Sequence, residues 1–432
     1  MGAAASKIRA TIRALRHRNF RLFFGGQLIS LIGTWMQNVA QSWLVYRLTG
    51  SSALLGMVGF AGQFPVFLIS PLGGAVADRN SRHRIIIGTQ TSSMLLAFAL
   101  AALTLAGVVQ VWHIFVLAAL LGVVNAFDIP ARQAFLVEMV GRDDLINAIA
   151  LNSSIFNSAR IIGPAVAGIL VAAIGEGWCF FANGVSYIAV IAGLLMMAIA
   201  PLRLAPKGSA WSHIVEGFHF VAHAGPIRDL LVLVGLISLT GMPYAVLMPI
   251  FADRIFHSGA QGLGILMGAS GAGALAGALV LASRQEIRGL GRVVGVSAGV
   301  FGVSLILFAY SRSFWMAAAM LVPVGFSMMT QMGASNTLIQ AMTPDHLRGR
   351  VMSVYSMMFM GMAPVGSLSA GVIADRLGAP MTVAIGGAVA ILAAFGFGMR
   401  LPALRQEGRE LILAQQMVGG HPAEEVTAQG AQ

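Results

Sequence analysis

The chain has 432 residues, of which 57% are hydrophobic and only 10% are charged. Soluble domains carry about 25% charged residues. This composition, with a mean hydropathy of +0.81, therefore excludes a soluble globular protein. The formal net charge of +11 would indicate a nucleic-acid partner in a soluble protein, but in a membrane protein its distribution must be considered first.

Apolar segments of about 20 residues, long enough to cross roughly 30 Å of hydrocarbon, recur along the whole chain. They predict an all-α membrane protein with twelve spanning helices, at residues 20–47, 52–77, 84–107, 111–137, 146–174, 178–200, 230–256, 263–283, 293–310, 314–342, 351–374 and 380–399.

The positive charges are distributed unevenly about these helices. With the N-terminus inside, the Lys and Arg residues fall on the cytoplasmic side, apart from Arg160 within the membrane and the outer residues Arg47, Arg254, Arg312 and Arg376. This agrees with the positive-inside bias. We therefore predict a multi-pass protein of the cytoplasmic (inner) membrane with both termini in the cytoplasm. The basic N-terminal arm meets anionic lipid rather than nucleic acid.

The two halves of the chain share a pattern. Residues 141–149 (GRDDLINAI) and 343–351 (TPDHLRGRV) each join the fourth to the fifth helix of their half. Parallel six-helix repeats place a transport site at their interface near the bilayer midplane. The predicted divisions are a basic arm (1–19), an N-terminal six-helix bundle (20–200), a cytoplasmic linker with an amphipathic helix (201–229), a C-terminal six-helix bundle (230–400) and a disordered cytoplasmic tail (401–432).

A cluster of charges lies between the second and third predicted helices, in residues 74–84 (GAVADRNSRHR). It resembles the loop at this place in the major facilitator superfamily of transporters, with Val76 and Ser81 where that pattern has Leu and Gly. The resemblance implies a two-bundle fold and a latch that closes the cytoplasmic side when the cavity faces outward. Its residues would be Gly74, Asp78, Arg79 and Arg82, facing Arg348 and Arg350; alternatively, these charges only fix the topology.

Two charges fall deep within predicted helices four and five. A charge at the centre of a spanning helix costs about 2.5–3.5 kcal/mol, so such residues usually face a cavity or a partner. We expect Asp128 and Arg160 to pair, although Arg132 lies on the same helical face as Asp128 and could compete. The pair would either brace two helices or act as a proton-coupling site.

Helix five carries Gly163, Pro164 and Gly168 at its middle. Proline removes a backbone hydrogen bond and kinks a helix, and small residues let helices approach closely. The segment resembles the helix-five pattern of the superfamily's drug/proton antiporters, with Ala167 in place of a Gly; simple helix packing is the alternative. The Arg that those antiporters carry on helix four is missing near Ala118.

By the same resemblance, helices one, four, seven and ten line the substrate cavity. Their polar and aromatic residues in this chain are Gln27, Thr34, Trp35, Asn38, Gln41, Asn125, Thr240, Tyr244, Gln331, Ser335 and Asn336. Without a dense charge cluster among them, we expect a neutral or amphipathic substrate.

Four further segments, 19–23 (NFRLF), 128–134 (DIPARQA), 157–164 (NSARIIGP) and 348–353 (RGRVMS), are similar to one branch of the superfamily, the enterobactin-exporter-like and macrolide-efflux-like proteins. The resemblance implies a proton-driven exporter of a small amphipathic molecule, a drug or a siderophore, acting as a monomer without a cofactor. An importer or lipid translocator on the same fold remains open. With no nucleophile–base pair, phosphate loop or metal-ligand cluster in the sequence, we do not expect an enzyme.

Overall fold

The structure, a computed structural model, describes residues 13–199, 218–284 and 289–418, and the side chains of all of these except 345–346 and 409–418. Twelve long helices fill the described residues. They are α1 (Arg18–Thr49), α2 (Ser52–Arg79), α3 (Arg82–Leu105), α4 (Val111–Val140), α5 (Leu145–Ile174), α6 (Glu176–Leu195), α7 (Gly225–Ile255), α8 (Gly259–Ala282), α9 (Leu290–Ala309), α10 (Phe314–Met342), α11 (Asp345–Ser356, continued through Met357–Gly361 and Met362–Leu377) and α12 (Ala379–Val418).

The predicted all-α membrane fold is confirmed. Eleven of the helices are long and apolar enough to cross a membrane. The remaining one, α1, is 32 residues long but more polar, and it packs against α5 and α6 inside the first bundle. Each predicted span therefore corresponds to one helix.

Two predicted boundaries need comment. The tail is helical as far as Val418, so the prediction of disorder from residue 401 is wrong for 401–418, and 419–432 lie outside the described residues. Of the predicted linker (201–229), only 218–229 are described; they contain a short helix over 218–223 and the beginning of α7 at Gly225.

Local signals set the ends of the helices. Gly50 ends α1 in the left-handed conformation (φ 62°), which favours glycine, and its N–H donates to the carbonyl of Tyr46. The Ser51 hydroxyl then accepts from the Leu54 N–H to begin α2. We call the end of the molecule that holds this turn the Gly50 face and the opposite end, with the α2–α3 turn, the Asn80 face.

The six-helix bundles α1–α6 and α7–α12 meet at two seams, α2 against α11 and α5 against α8. In the repeat, α2 of the first bundle corresponds to α8 of the second, and α5 corresponds to α11. The repeat therefore relates the α2–α11 seam to the α5–α8 seam. Both rely on glycine. A Cβ on Gly371 would lie 2.6 Å from the Ser52 carbonyl oxygen, and one on Gly264 would lie 2.5 Å from the Pro164 carbonyl oxygen. The backbones are therefore in direct contact.

Helix α11 contains a π-helical turn at Met357–Gly361, and α7 contains two, at Ile237–Gly241 and Phe251–Ile255. The first turn of α7 touches that of α11, because the Ser238 hydroxyl donates to the Phe359 carbonyl at 2.5 Å. A π turn interrupts the regular helical bonding and often occurs at functional sites. The two helices with interrupted bonding therefore meet on the C-terminal side of the interface.

The α5–α8 seam can be tested by adding one methyl group. We expect Gly264→Ala to destabilise the protein by about 1–3 kcal/mol, because its Cβ meets a backbone carbonyl that cannot rotate away. Gly268→Ala, one turn along the same helix, is the matched control, since its nearest neighbour would be the Ile161 carbonyl oxygen at 3.9 Å. Thermal unfolding of the purified protein should show a lower Tm for the first variant only; equal Tm values would contradict this seam.

Candidate functional site

Hydrogen bonds join the two bundles at the Gly50 face. The Tyr46 hydroxyl donates to Asp253 at 2.8 Å, and the Arg254 guanidinium donates to the Gly50 carbonyl at 2.9 Å. Asp375 of α11 accepts from the Ser52 N–H at 2.7 Å and from the Ser51 hydroxyl at 3.0 Å. A carboxylate from one bundle thus caps the first turn of a helix in the other, where the helix dipole favours negative charge.

At the Asn80 face, the charged loop residues are paired within the first bundle. Arg82 donates to Glu138 of α4 at 2.7 Å and to Asp78 at 3.4 Å. The Asp78 side chain is 55% exposed. Of the other predicted latch residues, Arg79 and Arg348 are exposed, Arg350 is partly buried, and Gly74 lies beside Pro130 of α4. Glu138 is absent from the predicted set, although it anchors Arg82 more closely than Asp78 does.

The predicted pairing of Asp128 with Arg160 is wrong. Asp128 is 1% exposed and forms an ion pair with Arg132, one turn along α4. Two donors on α3 complete its shell: the Thr89 hydroxyl at 2.7 Å and the Gln90 amide at 2.9 Å. Helix α4 therefore turns Asp128 towards α3, into the first bundle and away from α5.

Arg160 instead lies at the interface between the bundles. Its guanidinium carbon is 5.9 Å from the centre of the Trp35 ring on α1. Tyr244 of α7 lies nearby, because its hydroxyl is 2.7 Å from that of Ser270 on α8, the residue before Gly271. Gly271 packs on the Arg160 backbone: a Cβ there would lie 3.0 Å from the Arg160 carbonyl oxygen. Four helices, two from each bundle, thus meet at this arginine.

The surroundings of Arg160 offset only part of its charge. A cation over an aromatic ring gains about 0.5–2 kcal/mol, less than the roughly 2.5–3.5 kcal/mol that a charge costs at the centre of a spanning helix. No carboxylate among the side chains that the structure describes forms an ion pair with it. Arg160 is also partly exposed, so a small molecule can reach it.

The predicted cavity residues divide into two groups. Those that remain partly or fully exposed are Thr34, Trp35, Asn38, Gln41, Asn125, Thr240 and Asn336. Gln27, Tyr244, Gln331 and Ser335 are at most 5% exposed, so they do not line an open cavity in this conformation. Gln331 donates to Ser335 at 3.3 Å, and Tyr244 shares a 2.7 Å hydrogen bond with Ser270 of α8.

Part of the polar stripe of α1 faces α6 rather than a cavity. The Thr34 hydroxyl lies 3.4 Å from that of Tyr187, and the Asn183 amide donates to Gln37 at 2.7 Å. Gln37, Asn183 and Ser186 were not among the predicted residues. The sequence did contain a signal, because an amide side chain near the middle of a spanning helix needs a partner.

The predicted kink segment of α5 provides close packing. Gly163 faces Trp35, and Gly168 faces α8, where an added Cβ would lie 3.1 Å from the Ala260 carbonyl oxygen. The helix continues through Pro164 as far as Ile174. The small residues thus bring α5 against α1 on one side and α8 on the other, which holds Arg160 between them.

The described end of the basic arm docks beside the α4–α5 turn. Arg13, Arg16 and His17 all contact the buried carboxylate of Asp144, the last two at 2.8 Å. The hydrogen bond from His17, followed by that from Arg13, lowers the pKa of Asp144 below its ordinary value. Because the pKa is lowered on folding, the ionised carboxylate contributes to the free energy of unfolding above its unfolded pKa, and this contribution is lost as the pH falls through the folded pKa.

Comparisons with known proteins agree with this architecture. Residues 9–428 match the family described as transmembrane secretion effector, MFS_3. The chain is 26% identical to the staphyloferrin A transporter of Staphylococcus aureus (85% of this chain, 92% of the relative) and 30% identical to the multidrug efflux pump Tap of Mycolicibacterium fortuitum (80% and 87%).

A third relative is the macrolide efflux protein A of Streptococcus pyogenes, 23% identical over 84% of this chain and 92% of its own length. Among solved structures, the nucleoside transporter NupG superposes with a TM-score of 0.71 at 14% identity, covering 89% of this chain and 98% of that one. At this identity the likeness concerns the fold alone. The chain belongs to the transmembrane secretion effector family of the major facilitator superfamily, and it is a membrane transporter of small molecules rather than an enzyme.

Proposed function

We propose that this transporter is a proton-coupled exporter of small amphipathic molecules, such as drugs or siderophores, in the inner membrane. The observation that carries the proposal is the set of hydrogen bonds at the Gly50 face, which close one side of the bundle interface. Relatives named for efflux of drugs and macrolides support the outward direction, and one named for staphyloferrin A supports a siderophore-like substrate.

The proposed cycle is a rocking of the two bundles about a central site. If the Gly50 face is the outer side, as the positive charges predict, this conformation is open to the cytoplasm and accepts substrate from inside. Rocking then breaks the bonds at the Gly50 face. It brings Asp78 towards Arg348 and Arg350, which close the cytoplasmic side. A proton taken up from outside resets the carrier, so the proton gradient is the energy source.

We place the proton at Asp128. The ionised carboxylate is held by Arg132, Thr89 and Gln90, and its protonation would release the Arg132 side chain from Asp128 and weaken the bonds from the two donors on α3. Such a release changes the α3–α4 packing next to the cytoplasmic cluster, because Arg82 of α3 and Glu138 of α4 belong to the same two helices. The alternative is a purely structural brace, which the coupling experiment below separates from a proton site.

One test of the proposed function concerns the closure of the Gly50 face. Asp375→Asn removes the charge from a carboxylate that accepts two hydrogen bonds. Hydrogen bonds to charged groups are worth about 1.5–3 kcal/mol, so we expect about a tenfold or greater rise in the outward-open population. Distances between spin labels at Val108→Cys and Arg312→Cys, in a Cys179→Ala background, should shift to longer values.

Arg376→Gln is the matched control for this variant, because Arg376 is the next residue of α11 and is exposed. Arg376→Gln should give the same distribution of spin-label distances as the labelled protein without this substitution. An unchanged distribution for Asp375→Asn as well would mean that these bonds do not hold the bundles together.

Another test of the proposed function concerns proton coupling. In everted vesicles with an imposed ΔpH, a panel of macrolides, siderophores and cationic dyes should include a compound that dissipates the gradient with the wild-type protein. Asp128→Asn should reduce this response at least tenfold, because an amide cannot carry the proton. The exposed Asp143→Asn should behave as the wild type. If Asp128→Asn dissipates the gradient as the wild type does, Asp128 is excluded as the coupling site. If no compound dissipates the gradient with the wild-type protein, broad drug/proton antiport is contradicted.

A fold defect in Asp128→Asn must be separated from a coupling defect. The single variant leaves the partly buried Arg132 without its charged partner, which can cost up to about 3–5 kcal/mol. The double variant with Arg132→Gln removes both charges and should recover the Tm. If the double variant recovers stability but not the ΔpH response, Asp128 acts in coupling; if it recovers both, the pair is a brace.

A further inference from the structure

Arg160 is held at mid-depth by groups that leave its charge only partly compensated. It is the sixteenth residue of the 30-residue helix α5, so about 22 Å of helix separates it from either end. Lipid headgroups, which lie at the helix ends, are therefore out of its reach. A counter-charge for Arg160 must come from the protein or from a molecule that enters the interface.

The protein does not supply that counter-charge among the side chains that the structure describes. Asp128, the carboxylate expected from the sequence to pair with Arg160, is turned away and paired with Arg132. The polar group that does approach, Tyr244, is a neutral phenol whose hydroxyl is already bonded to Ser270. A charged guanidinium presents five donors, and neither the Trp35 ring nor a phenol satisfies them.

The chemistry around Arg160 indicates which molecule would fit. Trp35 offers an aromatic face, and Phe156 stands edge-on to it, with ring centres 5.8 Å apart and 46% of Phe156 exposed. A guanidinium fork matches a carboxylate in a bidentate geometry. We infer that Arg160 and Trp35 form a substrate site for a molecule in which a carboxylate is joined to an aromatic or other apolar body. Tyr244, which is buried in this conformation, would join the site when the bundles close around the ligand.

This site would join the two bundles through the ligand. Trp35 and Arg160 belong to α1 and α5, whereas Tyr244 belongs to α7. The inference rests on the proposed transport of small amphipathic molecules and narrows its substrate class to anionic ones. It does not depend on the direction of transport or on the coupling ion.

A matched pair of probes tests the inference by binding alone. Naphthalene-1-acetate and naphthalene-1-acetamide share the aromatic body and differ in the carboxylate charge. With the purified protein in nanodiscs, and empty nanodiscs subtracted for lipid partitioning, equilibrium dialysis should give the acid at least tenfold tighter binding than the amide. Arg160→Gln should reduce that preference to about twofold or less, while Arg160→Lys keeps an intermediate preference because it retains a point charge.

Two further variants separate recognition from structure. Trp35→Leu should weaken the binding of the acid and of the amide to the same extent, since both ligands contact the ring. Arg312→Gln, an exposed arginine in the α9–α10 turn, should change neither. Equal binding of acid and amide by the wild type, absence of saturable acid binding, or a preference that survives Arg160→Gln would each overturn the inference.

The outcome is independent of the export proposal. If the vesicle assay fails while the acid preference and its loss in Arg160→Gln hold, the anion site stands and proton-coupled export falls. If the vesicle assay succeeds with neutral or cationic compounds and the acid preference is missing, export stands and the anion site falls.

Discussion

A charged side chain inside the hydrocarbon of a membrane needs a partner, and this requirement determines how the helices at the centre of the molecule are oriented. Asp128 satisfies it within its own bundle, through Arg132 on the same helix and two donors on α3. That solution fixes the rotation of α4 and ties α3 to it. Arg160 lacks such a solution: in the part of the chain that the structure describes, it lies over the Trp35 ring and against the backbone of α8, with the Tyr244 phenol nearby. Asp128 is thus paired inside its bundle, whereas Arg160 at the interface has no carboxylate partner among the described side chains.

The way the bundles meet suits a moving interface. At both seams glycines bring the helix backbones into direct contact, as with Gly371 against the Ser52 carbonyl and Gly264 against the Pro164 carbonyl, so at these points no side chain must repack when the seams shift. The directional bonds are concentrated instead at the Gly50 face, where Asp375 caps α2. Such an interface has one end fastened by a few hydrogen bonds and a middle fastened by packing. Breaking those few bonds would be enough to release that end.

The helices could be predicted from sequence because the signal is local: a run of apolar residues long enough to cross a bilayer leaves the backbone little choice but a helix. The partners of Asp128 could not be predicted from sequence, because they depend on how the helices are rotated relative to each other. Its spacing to Arg132 was visible along the chain, but Thr89 and Gln90 became neighbours only through packing. Gln331 and Ser335 show the same limit. From sequence alone, a polar stripe on a helix could face either a cavity or neighbouring side chains, and here both residues are buried and Gln331 donates to Ser335.

The position of Arg160 also suggests how binding could drive the rocking motion. A ligand shifts an equilibrium only by as much as its affinity differs between the two states. Because Trp35 and Arg160 lie in one bundle and Tyr244 in the other, a molecule that contacts all three gains most in the conformation that brings the bundles together around it. An anion at Arg160 would add the largest single contribution, since it removes the one charge at the interface that the described side chains leave unmatched. Substrate recognition and the change of conformation would then depend on the same contact.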